Sequence, residues 1–242
     1  MYCPSCISSN VIKNGSTHYG AENRKCNNCG RQFVPGSTFR IDDERKAYIK
    51  NALKERVSLR AICRIFGVSL SWLMSFAKKV WKQTPDDLGA QRRVENEASP
   101  EKLQLLGIQI DEMWSFVQNK GDKAWIWVAY EPVGKQVIAT HIGKRDEAGY
   151  LGLWQQLPEA WREHCDFETD HWSIFKSYIP PARHYPTKVL TFWIESFFGR
   201  VRARVSRLVR KNRTFSKTWE NHRLAIRYFF WQSNLEMASL HL

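Results

Sequence analysis

The clearest indication of the fold is the segment Leu-Leu-Gly-Ile-Gln-Ile-Asp-Glu-Met-Trp-Ser-Phe-Val, at residues 105–117. It is an apolar run that two adjacent acids, Asp111 and Glu112, interrupt. Such a run predicts a strand. Side chains alternate between the two faces of a strand, so only one of the two acids is expected to line a given site. We choose Asp111 for that position and keep Glu112 as the alternative.

The segments that follow predict a mixed sheet with helices around it. Residues 123–130 and 136–142 predict two further strands, joined by a turn at residues 131–134. Residues 146–164 predict a helix that Pro158 bends or divides. Short strands are predicted at residues 165–170 and 184–185, and a long helix begins near Thr191. This order is typical of an α/β domain with one mixed sheet.

Three acids lie within or at the end of these predicted elements. Asp111 interrupts the first strand, Asp170 ends the fourth, and Glu195 lies in the first turns of the late helix. Three carboxylates suffice to hold two divalent ions ~3.5–4 Å apart, which is the arrangement that metal-dependent phosphodiester hydrolysis needs. From the residues alone this is one plausible set among the acids of the segment.

The late helix also carries a row of cations. At 100° per residue, one narrow face is shared by Arg200, Arg204, Arg207 and Lys211. Glu195 lies on another side, with Arg202 two turns further on. We predict one continuous helix that offers both a metal ligand and phosphate contacts. The alternative is a solvated, arginine-rich helix in which Glu195 is an N-terminal acid favoured by the helix dipole.

The charge of the 242-residue chain is strongly positive and unevenly distributed. The formal net charge is +13, from 37 Lys and Arg against 24 Asp and Glu. Residues 1–81 carry 14 cations and 5 acids, residues 105–194 carry 9 and 11, and residues 195–242 carry 10 and 3. This segregation favours a polyanionic partner over a merely solvated basic surface. No apolar run approaches the ~18 residues of a membrane span, and no signal peptide is evident, so we expect a cytoplasmic protein without a membrane partner.

The N-terminus carries two Cys-x-x-Cys knuckles with 19 residues between them. The four cysteines are Cys3, Cys6, Cys26 and Cys29. Two such knuckles suit one tetrahedral, structural Zn²⁺ with no open coordination position, closed by the intervening hairpin. The alternative is a pair of redox-active motifs or chance spacing. Because about 35 residues cannot form a core unaided, the metal would supply folding energy.

A helix-turn-helix is predicted at residues 58–73. Gly67 permits a left-handed turn, Val68 fills the core, and Ser69 can cap the second helix. The residues expected to face DNA from that helix are Ser71, Ser75, Lys78 and Lys79. A helical hairpin that only packs is the alternative. We divide the chain into a zinc ribbon at 1–38, a helix-turn-helix domain at 39–82, a linker at 83–104 and a catalytic domain with basic C-terminal helices at 105–242.

These residues together resemble the transposases of the insertion sequence one family over nearly the whole chain. The matching pieces are the Cys-Pro-x-Cys start, Cys29-Gly30-Arg31-Gln32-Phe33, Gly67-Val68-Ser69, Asp111-Glu112-x-Trp114-Ser115-Phe116-Val117, Thr169-Asp170-x-Trp172, Ile194-Glu195, and the run from Arg207 to Lys217. The 24 residues between Asp170 and Glu195 also look like the short spacing of that family.

The resemblance implies a ribonuclease H-like fold and an Asp-Asp-Glu triad at Asp111, Asp170 and Glu195, with two Mg²⁺ or Mn²⁺ ions. It implies terminal inverted repeats and target DNA as substrates. Arg202 takes the place of the basic residue that follows the glutamate by two turns. Synapsis of two DNA ends would need a homodimer or a larger assembly.

One departure from the family pattern is the turn after Glu195. Family members commonly show Arg and Asn there, whereas Ser196, Phe197 and Phe198 follow in this chain. Two other functions are therefore weighed beside transposition. One is a DNA-binding repressor with an inactive nuclease-like domain, and the other is a structure-specific nuclease without strand transfer.

Overall fold

A computed structural model describes residues 1–36, 41–89, 107–209 and 214–240. These residues fall into two compact units, Met1–Lys46 and Ala47–Leu242. Lys211 and most of the linker predicted at residues 83–104 lie outside the described residues. The four-part division of the chain made from the sequence stays a prediction.

The first unit is a small antiparallel sheet of three strands. Its order is β1 (Val11–Ser16), β2 (Glu22–Cys26) and β3 (Gln32–Phe33). Val11 pairs with Cys26, which brings the second cysteine knuckle to the start of β1. Among the described apolar residues of this unit, only Cys3 and Cys26 are buried. The sheet therefore has almost no apolar core, as expected of a fold that a metal holds together.

Three helices precede the large sheet. They are α1 (Asp43–Ala52), α2 (Leu59–Phe66) and α3 (Leu70–Trp81). Ser58 caps α2, Gly67 adopts a left-handed φ of 62°, and the Ser69 hydroxyl accepts a hydrogen bond from the Trp72 amide at 3.2 Å. These contacts confirm the predicted turn and cap. The axes of α2 and α3 differ by 111°, within the range typical of a helix-turn-helix.

No described helix is by itself long and apolar enough to cross a membrane. The pair formed by α2 and α3 reaches the necessary length and apolar character only when both are counted together, across their sharp bend.

The second unit is built on a five-stranded mixed sheet in the order β6-β5-β4-β7-β8. The strands are β4 (Gly107–Phe116), β5 (Lys123–Glu131), β6 (Gln136–Gly143), β7 (Asp166–Thr169) and β8 (His184–Pro186). Strand β5 runs antiparallel to its neighbours β4 and β6, whereas β7 and β8 run parallel to β4. All five predicted strands are confirmed, with β4 at the centre.

Helices cover both faces of this sheet. One face packs α4 (Glu147–Trp154) and α5 (Glu159–His164), which are divided at Pro158 as predicted. The other face packs α6 (Phe192–Arg204) and α7 (Trp219–Leu240). Side-chain alternation along β4 places Ile108 and Ile110 on the first face, and Met113 and Val117 on the second. This arrangement is the mixed sheet that the sequence predicts and the ribonuclease H-like fold that the family resemblance implies.

The prediction of one continuous late helix is wrong. Helix α6 ends at Arg204, Val205 is extended, and a single 3-10 turn follows at Ser206–Leu208. Both Val205 and Leu208 are buried in the core under α6 and α7. Tertiary packing of these two side chains outweighs the helical periodicity, so Arg207 does not share the helix face of Arg200 and Arg204.

Helix α7 joins several parts of the second unit. Ala225 and Tyr228 pack against Ala77, Val80 and Trp81 of α3. Leu88, which lies in the predicted linker, is buried in the core of the sheet. The first residues of the predicted linker therefore pack against the sheet and α7.

The buried side chain of Asn234 connects α7 to two other segments. Its Oδ1 accepts a hydrogen bond from the Val137 amide at 2.8 Å. Its Nδ2 donates to the carbonyl oxygens of Leu88 at 3.0 Å and of Val137 at 2.8 Å. One amide therefore satisfies three backbone groups at positions that water does not reach.

Replacing Asn234 by Ala is expected to lower the free energy of unfolding by ~3 kcal/mol, because buried backbone groups lose their partners. The measurement is urea denaturation followed by circular dichroism. The control is Leu235→Ala, since Leu235 is the next residue and its side chain is exposed. Equal stability of the two variants would contradict the role assigned to Asn234.

Candidate active site and zinc centre

The pairing of β4 with β7 brings two of the three predicted acids together. These strands are parallel, and their last recorded pair is Ile110 with Thr169. Asp111 and Asp170 each lie one residue beyond that pair, and so they are neighbours across the two strands. Asp170 leaves β7 in a tight turn, where its Oδ1 accepts a hydrogen bond from the Trp172 amide at 2.9 Å.

Glu195 comes to the same face of the sheet on the first turn of α6. Alternation along β4 places Asp111 on the face that Met113 shares with α6 and α7. At the start of α6, the Ile194 amide donates to Oε1 of Gln109 at 2.8 Å, and Gln109 is two residues before Asp111 on that face. The Thr191 hydroxyl lies 3.5 Å from Glu195 Oε1.

The electrostatics of Asp111 reflect this crowding of acids. Burial raises the pKa of the Asp111 carboxyl to about 7, and the negative charges of Glu112, Asp170 and Glu195 also raise it. A hydrogen bond of 2.8 Å from the Glu112 amide opposes the shift. Carboxylates that repel one another in a partly buried position are suited to a divalent cation, which neutralises them.

The donor set fits Mg²⁺ or Mn²⁺ by its chemistry, since both ions prefer carboxylate oxygens. The three carboxylates do not, however, form a closed cluster. Over the described ranges, the four cysteines are the only group of three or more possible ligands whose atoms lie close enough together to hold an ion. Holding ions at the acids therefore requires some rotation of their side chains.

Glu112, the alternative to Asp111, points to the opposite face of the sheet. Its carboxylate forms an ion pair of 2.5 Å with Arg145, and its side chain is 4% exposed. The Arg145 guanidinium lies over the rings of Trp172, at 4.3 Å, and Trp125, at 5.2 Å. Glu112 is thus paired with a cation on the face opposite to Asp111, and the choice of Asp111 stays a prediction.

Two residues near the acids escaped the sequence analysis. Gln109 is 1% exposed, and its side chain links β4 to β7 and to α6. Arg145 lies over the ring of Trp172, whose backbone amide donates a hydrogen bond to Asp170. A signal for Gln109 was available, because an amide at an inward position of an apolar strand needs buried partners. Arg145 had no such signal, since it lies far from both tryptophans in sequence.

The four N-terminal cysteines converge as their spacing predicts. Their Sγ atoms all lie within 4.8 Å of one another. Cys3 is 3.5 Å from Cys29, and Cys6 is 3.5 Å from Cys26. A tetrahedron with ~2.3 Å zinc–sulfur bonds has edges of ~3.8 Å, so the group fits Zn²⁺. Burial raises the pKa of Cys3, but hydrogen bonds from the Ser5 and Cys6 backbone and from neighbouring thiols lower it to about 6.

The residues predicted to contact DNA from α3 divide into two groups. Ser71, Ser75 and Lys79 are exposed and, at intervals of four residues, lie on one face of the helix. Lys78 forms an ion pair of 2.9 Å with Glu220 on α7. Lys78 therefore also contributes to the packing of α3 on α7.

The late arginines differ in what they contact. Arg204 forms ion pairs with Glu55 and Glu236 at 2.6 and 2.8 Å. Arg207 donates to the Ser216 hydroxyl and the Asn221 carbonyl and lies over the ring of Trp81. Burial lowers the pKa of the Arg207 guanidinium to about 10, which leaves it charged at neutral pH. Both side chains therefore connect different elements of the second unit.

The remaining cations of α6 have a different setting. Arg200 lies over the ring of Phe197 at 5.2 Å, and its buried Nε has no hydrogen-bond partner in the part of the chain that the structure describes. Arg202 is partly exposed on the same helix.

The unusual turn after Glu195 is part of the core. Phe197 and Phe198 are both buried, and the ring of Phe197 stacks on Tyr130 at 4.9 Å and contacts Phe230 at 5.5 Å. Ser196 lines a small surface cavity. The aromatic pair that departs from the family pattern therefore anchors α6 to the sheet and to α7.

Asp111→Asn is expected to stabilise the protein at pH 8 in the absence of Mg²⁺. The folded-state pKa of about 7 exceeds the ordinary value of 3.8, so the ionised carboxylate destabilises the fold increasingly from pH 4 to pH 7 and fully above that range. We expect a gain of ~2 kcal/mol or more at pH 8 that shrinks towards pH 4, measured by urea denaturation. A gain that does not vary with pH would contradict this account.

Cys26→Ser is expected to abolish binding of one Zn²⁺ per chain, because a structural site needs all four thiolates. Zinc content after dialysis measures this, and trypsin should then cut residues 1–46 more readily. The control is Cys63→Ser, since Cys63 lies on α2, outside the cluster. Unchanged zinc content in Cys26→Ser would exclude the site.

Comparison with known proteins agrees with this geometry. The IS1 transposase family matches residues 104–235, a range that contains all three acids. Insertion element iso-IS1n protein InsB of Shigella dysenteriae is 31% identical over 121 residues, which are 50% of this chain and 91% of that protein. Insertion element IS1 4 protein InsB of Escherichia coli (strain K12) is 31% identical over 121 residues, which are 50% of this chain and 71% of that protein. Since the family match spans more than half of its residues, the chain belongs to the IS1 transposase family.

Proposed function

We propose that this chain is a DNA transposase that binds the terminal inverted repeats of its own insertion sequence, cleaves DNA at the element ends and joins the 3′ ends to target DNA. The observation that carries the proposal is the parallel pairing of β4 and β7, which makes Asp111 and Asp170 neighbours on the face of the sheet that α6 covers. Family membership supports a transposase of the Asp-Asp-Glu type.

In this proposal Asp111, Asp170 and Glu195 hold two Mg²⁺ or Mn²⁺ ions. When bound, the ions supply Lewis-acid activation of the attacking and leaving oxygens of an in-line displacement. Water and then a 3′ hydroxyl are the nucleophiles, so the chain needs no Ser, Tyr or Cys for a covalent intermediate. Gln109 orients Glu195 by anchoring the first turn of α6, through the hydrogen bond from the Ile194 amide.

The DNA contacts of the proposal come from separate elements. The exposed face of α3, with Ser71, Ser75 and Lys79, enters the major groove. Arg200 and Arg202 contact phosphates beside the acids, which makes binding salt-dependent. One structural Zn²⁺ at the cysteine cluster holds the ribbon. Synapsis of two ends requires a homodimer or larger, and the protein acts at the bacterial nucleoid.

The test of the chemistry is Asp170→Asn, a change that keeps the size of the side chain and removes its charge. Oligonucleotides carry the inverted repeats that flank the gene, and cleavage and joining are measured with Mg²⁺. We expect the variant to lose at least ~1,000-fold in cleavage rate, since one carboxylate of the metal site is gone. The control is Asp166→Asn, because Asp166 lies on β7 four residues before Asp170.

Each result of this assay selects one function. Binding of the repeats by the unaltered chain without cleavage would favour the repressor. Cleavage without joining would favour the structure-specific nuclease. Cleavage that survives Asp170→Asn would refute the assignment of the acids.

A further inference from the structure

An apolar surface surrounds the start of α6, immediately before Glu195. Val189 is 82% exposed, Phe192 is 61% exposed and Trp193 is 48% exposed. The rings of Phe192 and Trp193 meet edge to face, with centroids 5.4 Å apart. A cluster of exposed aromatic side chains indicates a binding surface, because exposing contiguous apolar area to water is unfavourable.

Trp193 lines two cavities. The larger has a volume of about 370 Å³, and its lining residues are Gln109, Pro132, Glu168, Val189, Leu190, Phe192 and Trp193. The smaller has a volume of about 150 Å³ and is lined by Tyr130, Lys135, Trp193, Ser196, Phe197 and Arg200. The first cavity is apolar with one carboxylate and one amide, whereas the second contains two cations.

The polar groups of the larger cavity leave one acceptor available to a ligand. Gln109 is occupied, since its Nε2 donates to Glu168 Oε2 at 2.9 Å and its Oε1 accepts from Ile194. The Glu168 carboxylate is partly exposed, and a carboxylate has more acceptor positions than this one bond uses. A planar ligand with an amino group can therefore stack on the aromatic rings and donate to Glu168.

We propose that the larger cavity receives a nucleotide base extruded from the DNA end, stacked against Phe192 and Trp193, with its exocyclic amino group donating to Glu168. Lys135 and Arg200 hold the adjoining phosphates from the smaller cavity. Enzymes that act on DNA take up extruded bases in such pockets, between aromatic walls and a hydrogen-bonding floor. This inference rests on the proposed function.

The surroundings favour a base over a second copy of the chain. A self-interface is most stable when its centre is apolar and free of charged groups, whereas a carboxylate and two cations line these cavities. The pattern of acceptor, aromatic face and cation matches a nucleotide group by group. Gln109, which lines the larger cavity, also lies two residues before Asp111 on the same face of β4, so a base held there belongs to the strand at the acids.

The test uses the full zinc-bound chain and duplexes of the element end without Mg²⁺ or Mn²⁺. Each duplex carries a three-nucleotide 3′ overhang of cytosine, of thymine, or of abasic residues that keep the phosphates. Fluorescence anisotropy measures Kd. We expect the unaltered chain to bind the cytosine overhang ~10-fold more tightly than the abasic one. Thymine lacks an amino group, so its overhang should bind several-fold more weakly than cytosine.

Variants assign this preference to named side chains. Trp193→Ala and Phe192→Ala should each reduce the cytosine-to-abasic ratio to ~3 or less, as stacking on one ring is lost. The control is Tyr185→Ala, because Tyr185 is 45% exposed and lines neither cavity. Glu168→Gln should keep the cytosine-to-abasic preference but reduce the distinction from thymine, because an amide can also donate to thymine. Thermal unfolding verifies that each variant is folded.

Several outcomes would overturn the inference. One is equal binding of all three overhangs by the unaltered chain, and another is an equal loss for all overhangs in Trp193→Ala. A change from dimer to monomer in sedimentation of Trp193→Ala, with the base preference intact, would assign the surface to a second copy. If instead the proposed function were wrong, the unaltered chain would show no Mg²⁺-dependent cleavage but would keep its preference among the overhangs. The two failures are therefore distinguishable.

Discussion

The buried amide of Gln109 is the contact on which the arrangement of the acids depends. It accepts from the Ile194 amide, donates to Glu168, and also donates to the Leu190 carbonyl. The backbone amides of the first turn of a helix have no intrahelical partner, and here a strand side chain supplies one. The same side chain thereby ties β4, β7 and α6 together. The relative positions of Asp111, Asp170 and Glu195 follow from that junction.

Placing several acidic side chains close together makes their ionised forms less favourable. Asp111 has a pKa of about 7 because it is partly buried among other carboxylates. Glu112, one residue away, points to the opposite face and pairs with Arg145, although burial still raises the pKa of its carboxyl. Alternation along one strand thus places two adjacent acids in different surroundings. Sites of this kind are commonly less stable than the rest of the fold until a cation binds.

The cations show that charge in a sequence and charge on a surface are different quantities. Arg207 would lie on the same helix face as Arg204 if α6 continued. Instead, the helix ends and both guanidinium groups connect secondary structure elements inside the second unit. Arg200 keeps a position beside a surface cavity next to Trp193. The basic surface available to DNA is accordingly smaller than the net charge of the chain suggests.

Features that depend on neighbours along the chain could be predicted from the order of the amino acids. Knuckle spacing located the cysteine cluster, Gly67 and Ser69 located the turn between α2 and α3, and apolar runs located the strands, because such signals are encoded in local conformation and periodicity. Tertiary packing determines instead where α6 ends, since the burial of Val205 and Leu208 depends on distant partners. It also determines the partners of Gln109 and Arg145 and the exposure of Trp193, because these depend on which surfaces meet after the sheet forms.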